Sequence, residues 1–436
     1  MWSLLRLFLG LSVLWGLPQD VIGSCQLETT PTAPLIVTTF GSKQLLSNSG
    51  GIHERDEGET IELFCGSGFL FKYSNNEEYT SINQNKVSLS CDSDYFIIPS
   101  DGEPLENLVV QCQKGVSQLF ESRTSLPNCE GDMTLVLGHD FEEMGTMKSA
   151  ALCYDIVASR MKYIGYTTFP EKNLILQKTQ LGQLNSIGLD IKVNYRKNLI
   201  KSISQAEIDA YLVKKEVLSQ LFQGRGFQSA SLVQDEAVGV QLDGYEAMMT
   251  TTWLSALRSG NWKRWVTAMR EATRAGVHFD VRLGVSGVLE LPLDVGQPCN
   301  ASRSLVFELT DGGSVPAPAH IWAHVHALES TGGVDDEFVI IGHNSPFFRS
   351  DISAELCSSM CNQVSWLKNS LFASLHQFPA YGLVQCCRVE DVASKLDNFP
   401  GSFAKESAST SSTPAPDPIP AFVMSQKPER ESTELQ

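Results

Sequence analysis

The chain has 436 residues, 42% of them hydrophobic, and a formal net charge of −17. That is enough length and apolar content for two domains with real cores. The acidic balance argues against non-specific nucleic-acid binding as the main activity, because contacts to phosphate supply most of that affinity.

The first residues, Met-Trp-Ser-Leu-Leu-Arg, precede an apolar run from Leu7 to Leu17, and Val21-Ile22-Gly23 leads to a cut ahead of Ser24. A basic residue, a short apolar core and a small exit residue predict a secretory signal peptide over 1–23. The run is shorter than the ~20 residues of a spanning helix, and no later segment is apolar enough, so no membrane partner is expected. Residues 24–58 are polar and turn-rich and read as an arm or linker. From 59 to 170 short alternating runs, at 60–65, 86–91 and 108–112, each end in a cysteine and predict a small β domain. Eleven cysteines in a secreted chain predict disulfides. Cys65, Cys91, Cys112, Cys129, Cys153, Cys357, Cys361, Cys386 and Cys387 are the candidates, with Cys65–Cys91 as a local pair. The odd count leaves a free thiol or a bond to another chain.

Residues 171–395 mix helices and strands. Apolar residues Ile208, Leu212, Val217, Leu218 and Leu221 predict a helix over 204–222, and a second runs over 262–275 with Gly276 as its stop. Strand-like runs lie at 277–283, 287–291 and 337–341. The Ser/Thr/Pro-rich tail, 396–436, has a composition that predicts disorder. Asn300-Ala301-Ser302 is a glycosylation sequon.

Over residues 59 to about 395 the chain resembles the arthropod secreted branch of the DNA/RNA non-specific endonucleases. The likeness rests on 58–65 with the cysteines that follow, on Ala151-Leu152-Cys153-Tyr154-Asp155, on 286–292, on Ile341-Gly342-His343-Asn344-Ser345-Pro346 and on 381–387. The resemblance implies an α+β fold: a ββα-metal (His-Me finger) nuclease-like domain, with an antiparallel sheet and flanking helices, after a small disulfide-rich β domain. It also implies Mg²⁺-dependent phosphodiester hydrolysis, and there the chain departs from the pattern. Relatives carry Asp-Arg-Gly-His, whose histidine is the general base; here the segment is Gly224-Arg225-Gly226-Phe227, and phenylalanine has no lone pair. The metal-holding asparagine is replaced by Arg258, ahead of Ser259-Gly260-Asn261-Trp262. A guanidinium cannot ligate a hard cation that wants oxygen donors. The glutamate that orients the metal's waters is Val266, and a second asparagine falls near Met249. Arg225 and Arg270 survive at positions that face phosphate in relatives, so Arg225, Arg258 and Arg270 are phosphate-binding candidates; salt bridging is their other reading.

His320, His324 and His326 share parity, with Ile321, Ala323 and Val325 on the opposite side of a strand. A partly exposed strand face, a zinc-binding pair and a cluster that charges below pH ~6.5 are the three readings, and the first is preferred. His139 in Gly138-His139-Asp140 is expected to be structural. The expectation is a secreted, extracellular pseudo-nuclease with no cofactor, an unidentified extracellular partner and at most weak nucleic-acid binding. The alternative is an active Mg²⁺-dependent endonuclease with an altered site.

Overall fold

A computed structural model describes residues 24–30, 33–40, 43–47, 51–73, 78–99, 102, 104–169, 174–176, 181–194, 200, 202–214, 226–292, 302–310, 312–329, 336–346 and 356–403. The leader over 1–23, Arg225, Cys299, Asn300 and all of the tail beyond Phe403 lie outside them. The fold is mixed α+β and mostly strand, with five disulfides.

Three sheets carry it. A five-stranded sheet is ordered Gly51–Asp56, Ser24–Thr29, Leu108–Cys112, Phe69–Lys72, Thr80–Ile82. A seven-stranded sheet runs Pro104–Leu105, Tyr95–Ile97, Lys86–Asp92, Thr60–Phe64, Leu35–Phe40, Lys43–Ser47, Leu174–Leu176. Both sheets bury residues in one core that includes Leu27, Phe71 and Val110 from the first and Leu35, Leu63 and Leu89 from the second. Cys25–Cys91 and Cys65–Cys112 staple the two sheets together.

This corrects two expectations. The stretch 24–58 is not an arm. Ser24–Thr29 alternates exposed and buried residues, and its buried Cys25 and Leu27 place it in the core. Cys91 therefore pairs with Cys25, not with Cys65. Sequence spacing favours a local partner, whereas the sandwich brings a strand 66 residues away within bonding reach. The remaining pairs are Cys129–Cys153, Cys357–Cys387 and Cys361–Cys386.

The third sheet has nine antiparallel strands: Ile191–Lys192, Gln118–Glu121, Met133–Asp140, Thr146–Asp155, Arg160–Thr167, Phe279–Ser286, His320–Ala327, Glu337–His343 and Val384–Cys387. Arg160–Thr167 pairs directly with Phe279–Ser286, so the sheet continues through the boundary expected near residue 170. One face packs on the main core, with Ile164, Val281, Ile321 and Ile340 turned toward the helix Lys263–Arg274. The other face is covered by a smaller core containing Leu126, Leu184, Val392, Leu396 and Phe399. Leu396 and Phe399 are buried, which moves the start of the tail past residue 396.

The helix Lys263–Arg274 forms because Trp262, Trp265, Val266, Met269 and Thr273 recur at helical spacing and all are buried; Lys263, Thr267, Glu271 and Arg274 take the exposed side. Gly276, at φ +99°, closes it with an N–H donated to Thr273, the left-handed stop that glycine adopts without penalty.

Candidate functional site

The strand Phe227–Ser231 pairs antiparallel with Thr250–Leu254, and Phe227 lies opposite Leu254. The second strand runs straight into the helical segment Ser255–Leu257, then a widened turn, Arg258–Trp262, then Lys263–Arg274. Two strands feeding a helix therefore meet where Phe227, Arg258 and Val266 lie.

Side-chain amides, one buried and one at the surface, fix this junction. The Asn344 side chain accepts from the Leu254 N–H and donates to the carbonyls of Thr252 and Pro318. The Gln205 side chain accepts from the Ser229 N–H at 2.9 Å and donates to the Phe227 carbonyl at 3.3 Å. In the widened turn Gly260 adopts φ −94°, ψ −113°. A Cβ there would lie 2.2 Å from the Tyr381 carbonyl oxygen, so the turn can only lie against that strand of chain with glycine. Asn261 completes the lock: its Nδ2 donates to Leu375 and Gly382 carbonyls at 2.8 and 2.6 Å, and its oxygen accepts from Arg264 at 3.3 Å.

Each position at which the resemblance expects a catalytic residue is part of this packing or lies beside it. Phe227 is 1% exposed and sits edge-on to Phe307. Val266 is 6% exposed and Met249 is fully buried, beside an aromatic stack in which Trp262 lies 5.3 Å from Trp253 and 5.4 Å from Trp265. Arg258 is half-buried. Its Nε finds no acceptor among the described residues, and burial pushes its guanidinium pKa down. Asn261, the nearest amide oxygen in the turn, is already committed to Arg264. These side chains do not fit a magnesium ion, which needs oxygen ligands that are free to turn toward it.

Of the three arginine candidates for an anion site, Arg225 lies outside the described residues. Arg270 is buried and faces inward, donating to the Phe169 carbonyl at 3.0 Å and pairing with Asp235 at 3.4 Å. Asp235 also caps the helix Glu236–Gln241, accepting from Ala237 and Val238. The salt-bridging reading is the correct one for Arg270. Among the described candidates, only Arg258 remains for an anion.

On the opposite face of the nine-stranded sheet lies a group of ionisable side chains. The histidine parity holds, and the face is partly exposed at His320 and His326 while its centre is covered. His324 is fully buried, and His320 and His326 are half-buried. Asp280 stands opposite His326, and Arg282 opposite His324; His326 in turn faces Glu337. His324 Nε2 is 2.8 Å from Glu337, with Phe399 packed at 4.9 Å over its ring. Asp280 accepts from the Thr167 hydroxyl at 2.6 Å and the Gln183 N–H at 2.9 Å; Arg282 donates to the Gln183 side chain at 2.9 Å. Desolvation lowers the pKa of both His320 and His324 to about 4, so these two do not gain charge near pH 6.5. The histidines join no group of three or more metal-ligating side chains among the described residues. Among the described residues the one cluster with metal-ligand spacing is Cys129, Asp132 and Cys153, and its two cysteines are joined in a disulfide. His139 is structural, as expected: buried between Phe64 and Phe141, with Nδ1 at 3.3 Å from the Val116 carbonyl.

A groove of about 610 Å³ opens beside Thr250, at the end of the strand pair away from Phe227. Its lining includes Arg160, Met248, Ser286 and Asp397 and no histidine. Asp397 Oδ2 accepts from the Gly287 N–H at 2.8 Å.

No protein-family model matches the chain, and no curated protein matches it. The assignment therefore rests on the residues and their geometry.

Proposed function

We infer that this chain is a nuclease-fold protein without nuclease chemistry, acting outside the cell as a binding or structural protein. The observation that carries the reading is the strand–helix junction. An aromatic ring, a cation and an aliphatic side chain occupy the positions at which hydrolysis would need a base, a metal ligand and an acid, and two of the three are packed in the core. Loss of general-base help alone costs ~10²–10⁴-fold. Loss of the metal removes the charge that stabilises the leaving and attacking oxygens. Two unit charges 4 Å apart interact by about 4 kcal/mol at an effective dielectric of 20, and a divalent ion doubles that, so Arg258 turned toward the site opposes metal entry.

Plasmid DNA and RNA incubated with the purified protein, in Mg²⁺ and then in chelator, test this. The expected result is no cleavage above background in either condition. Metal-dependent cleavage that co-purifies with the chain through successive columns supports the active alternative instead. Gel shifts are expected to show weak nucleic-acid binding that disappears as salt rises, since one described guanidinium cannot hold a polyanion against a net charge of −17.

A further inference from the structure

The chain has 50 Asp and Glu against 33 Lys and Arg, yet no carboxylate occurs from residue 247 to 270 or from 356 to 389. The fold packs these two stretches on each other. Asn261 bonds the carbonyls at both ends of the Leu375–Gly382 loop, and the Arg264 guanidinium lies 4.4 Å over the Tyr381 ring.

The surface they share is apolar and cationic. Leu371 is 64% exposed, Phe378 55% and Tyr381 41%. Leu371 opens the short helix Leu371–Leu375 and Phe378 lies in the turn that follows it. All of residues 377–381 are exposed. Lys263 and Lys368 are exposed on the two helices that pack beside this segment, and neither pairs with a carboxylate among the described residues.

We propose that this surface docks on an anionic phospholipid bilayer. Exposed leucine and phenylalanine gain by entering the boundary between headgroups and acyl chains, and flanking lysines gain by meeting lipid phosphate and carboxylate. The absence of acidic residues from these two stretches lessens the repulsion that the rest of this chain would experience at such a surface. A single-stranded nucleic acid fits less well. Base stacking needs a free aromatic face; one face of Tyr381 is already under Arg264, and Leu371 offers no π face. Docking is peripheral, since no helix among the described residues is long and apolar enough to cross a membrane. The proposal does not depend on whether the junction is catalytically silent.

Flotation of the full chain with phosphatidylcholine vesicles, with and without phosphatidylserine, tests it. Binding is expected only with phosphatidylserine, and release is expected at about 1 M salt, where screening falls to ~3 Å. The exposed double variant L371S/F378S should abolish binding. The pair K263Q/K368Q should weaken it about fivefold for each lysine lost. Circular dichroism should match the parent for both variants. No flotation with phosphatidylserine, equal flotation by parent and variants, or capture of a single-stranded oligonucleotide by a chain that ignores the vesicles would each overturn the assignment.

Discussion

The two faces of the nine-stranded sheet divide the chemistry between them. The face toward the helix Lys263–Arg274 holds the strand–helix junction, where a hydrolase would need its ionisable groups, and it is filled by Phe227, Val266, Met249 and three tryptophans. The face under Phe399 holds Asp280, Arg282, His324 and Glu337, and these are hydrogen-bonded to one another or to Gln183 and Thr167. Titratable residues alone therefore do not mark an active site. On the second face they satisfy one another beneath a covering core, which is how a protein buries charge at tolerable cost.

The comparison can be broken first at its one exception. Arg270 and Asp235 form the buried ion pair of the helix side. Arg270→Ala removes the guanidinium beside the buried Asp235, and should destabilise the protein by about 3–5 kcal/mol in urea unfolding. A side chain kept for phosphate would show little loss. Next comes Phe227→Ala, which should cost about 3 kcal/mol or more by opening a cavity beside Phe307. Phe227→His should cost less and should not restore cleavage by itself, because Arg258 and Val266 supply no oxygen ligand for a metal.

The polar face is sharpened by pH. The folded state holds His324 at a pKa of about 4, below its ordinary 6.5. Between those values the unfolded chain binds the extra proton, so stability is full above pH ~6.5, falls as pH drops and levels off below pH ~4. The contribution of His324 is on the order of 3 kcal/mol, and His324→Gln should flatten that part of the curve. Smallest of all, Lys263→Gln should leave stability within ~0.5 kcal/mol, as expected for an exposed side chain without a partner.

Much of the frame was legible from periodicity. The alternation in His320–Ala327 assigned the histidines to one side, and the apolar stripe located the helix at Lys263–Arg274. Parity, however, says which residues share a face and not what covers it. Phe399 and Leu396 close over His324 from a segment that read as tail. Cys25 was hidden for a similar reason: a six-residue strand between turns has too little pattern to stand out from a linker. The burial of Arg270 was available in principle, since it lies one turn after Val266 in the buried stripe, but the likeness to phosphate-facing arginines pointed outward.

The central claim, that the junction offers neither a base nor a metal ligand, is tested most directly by manganese anomalous scattering from crystals soaked in Mn²⁺ as a stand-in for Mg²⁺. The account predicts no ordered peak beside Phe227, Arg258 and Val266. An ordered peak there, held by side-chain oxygens with an imidazole over its water, would contradict it.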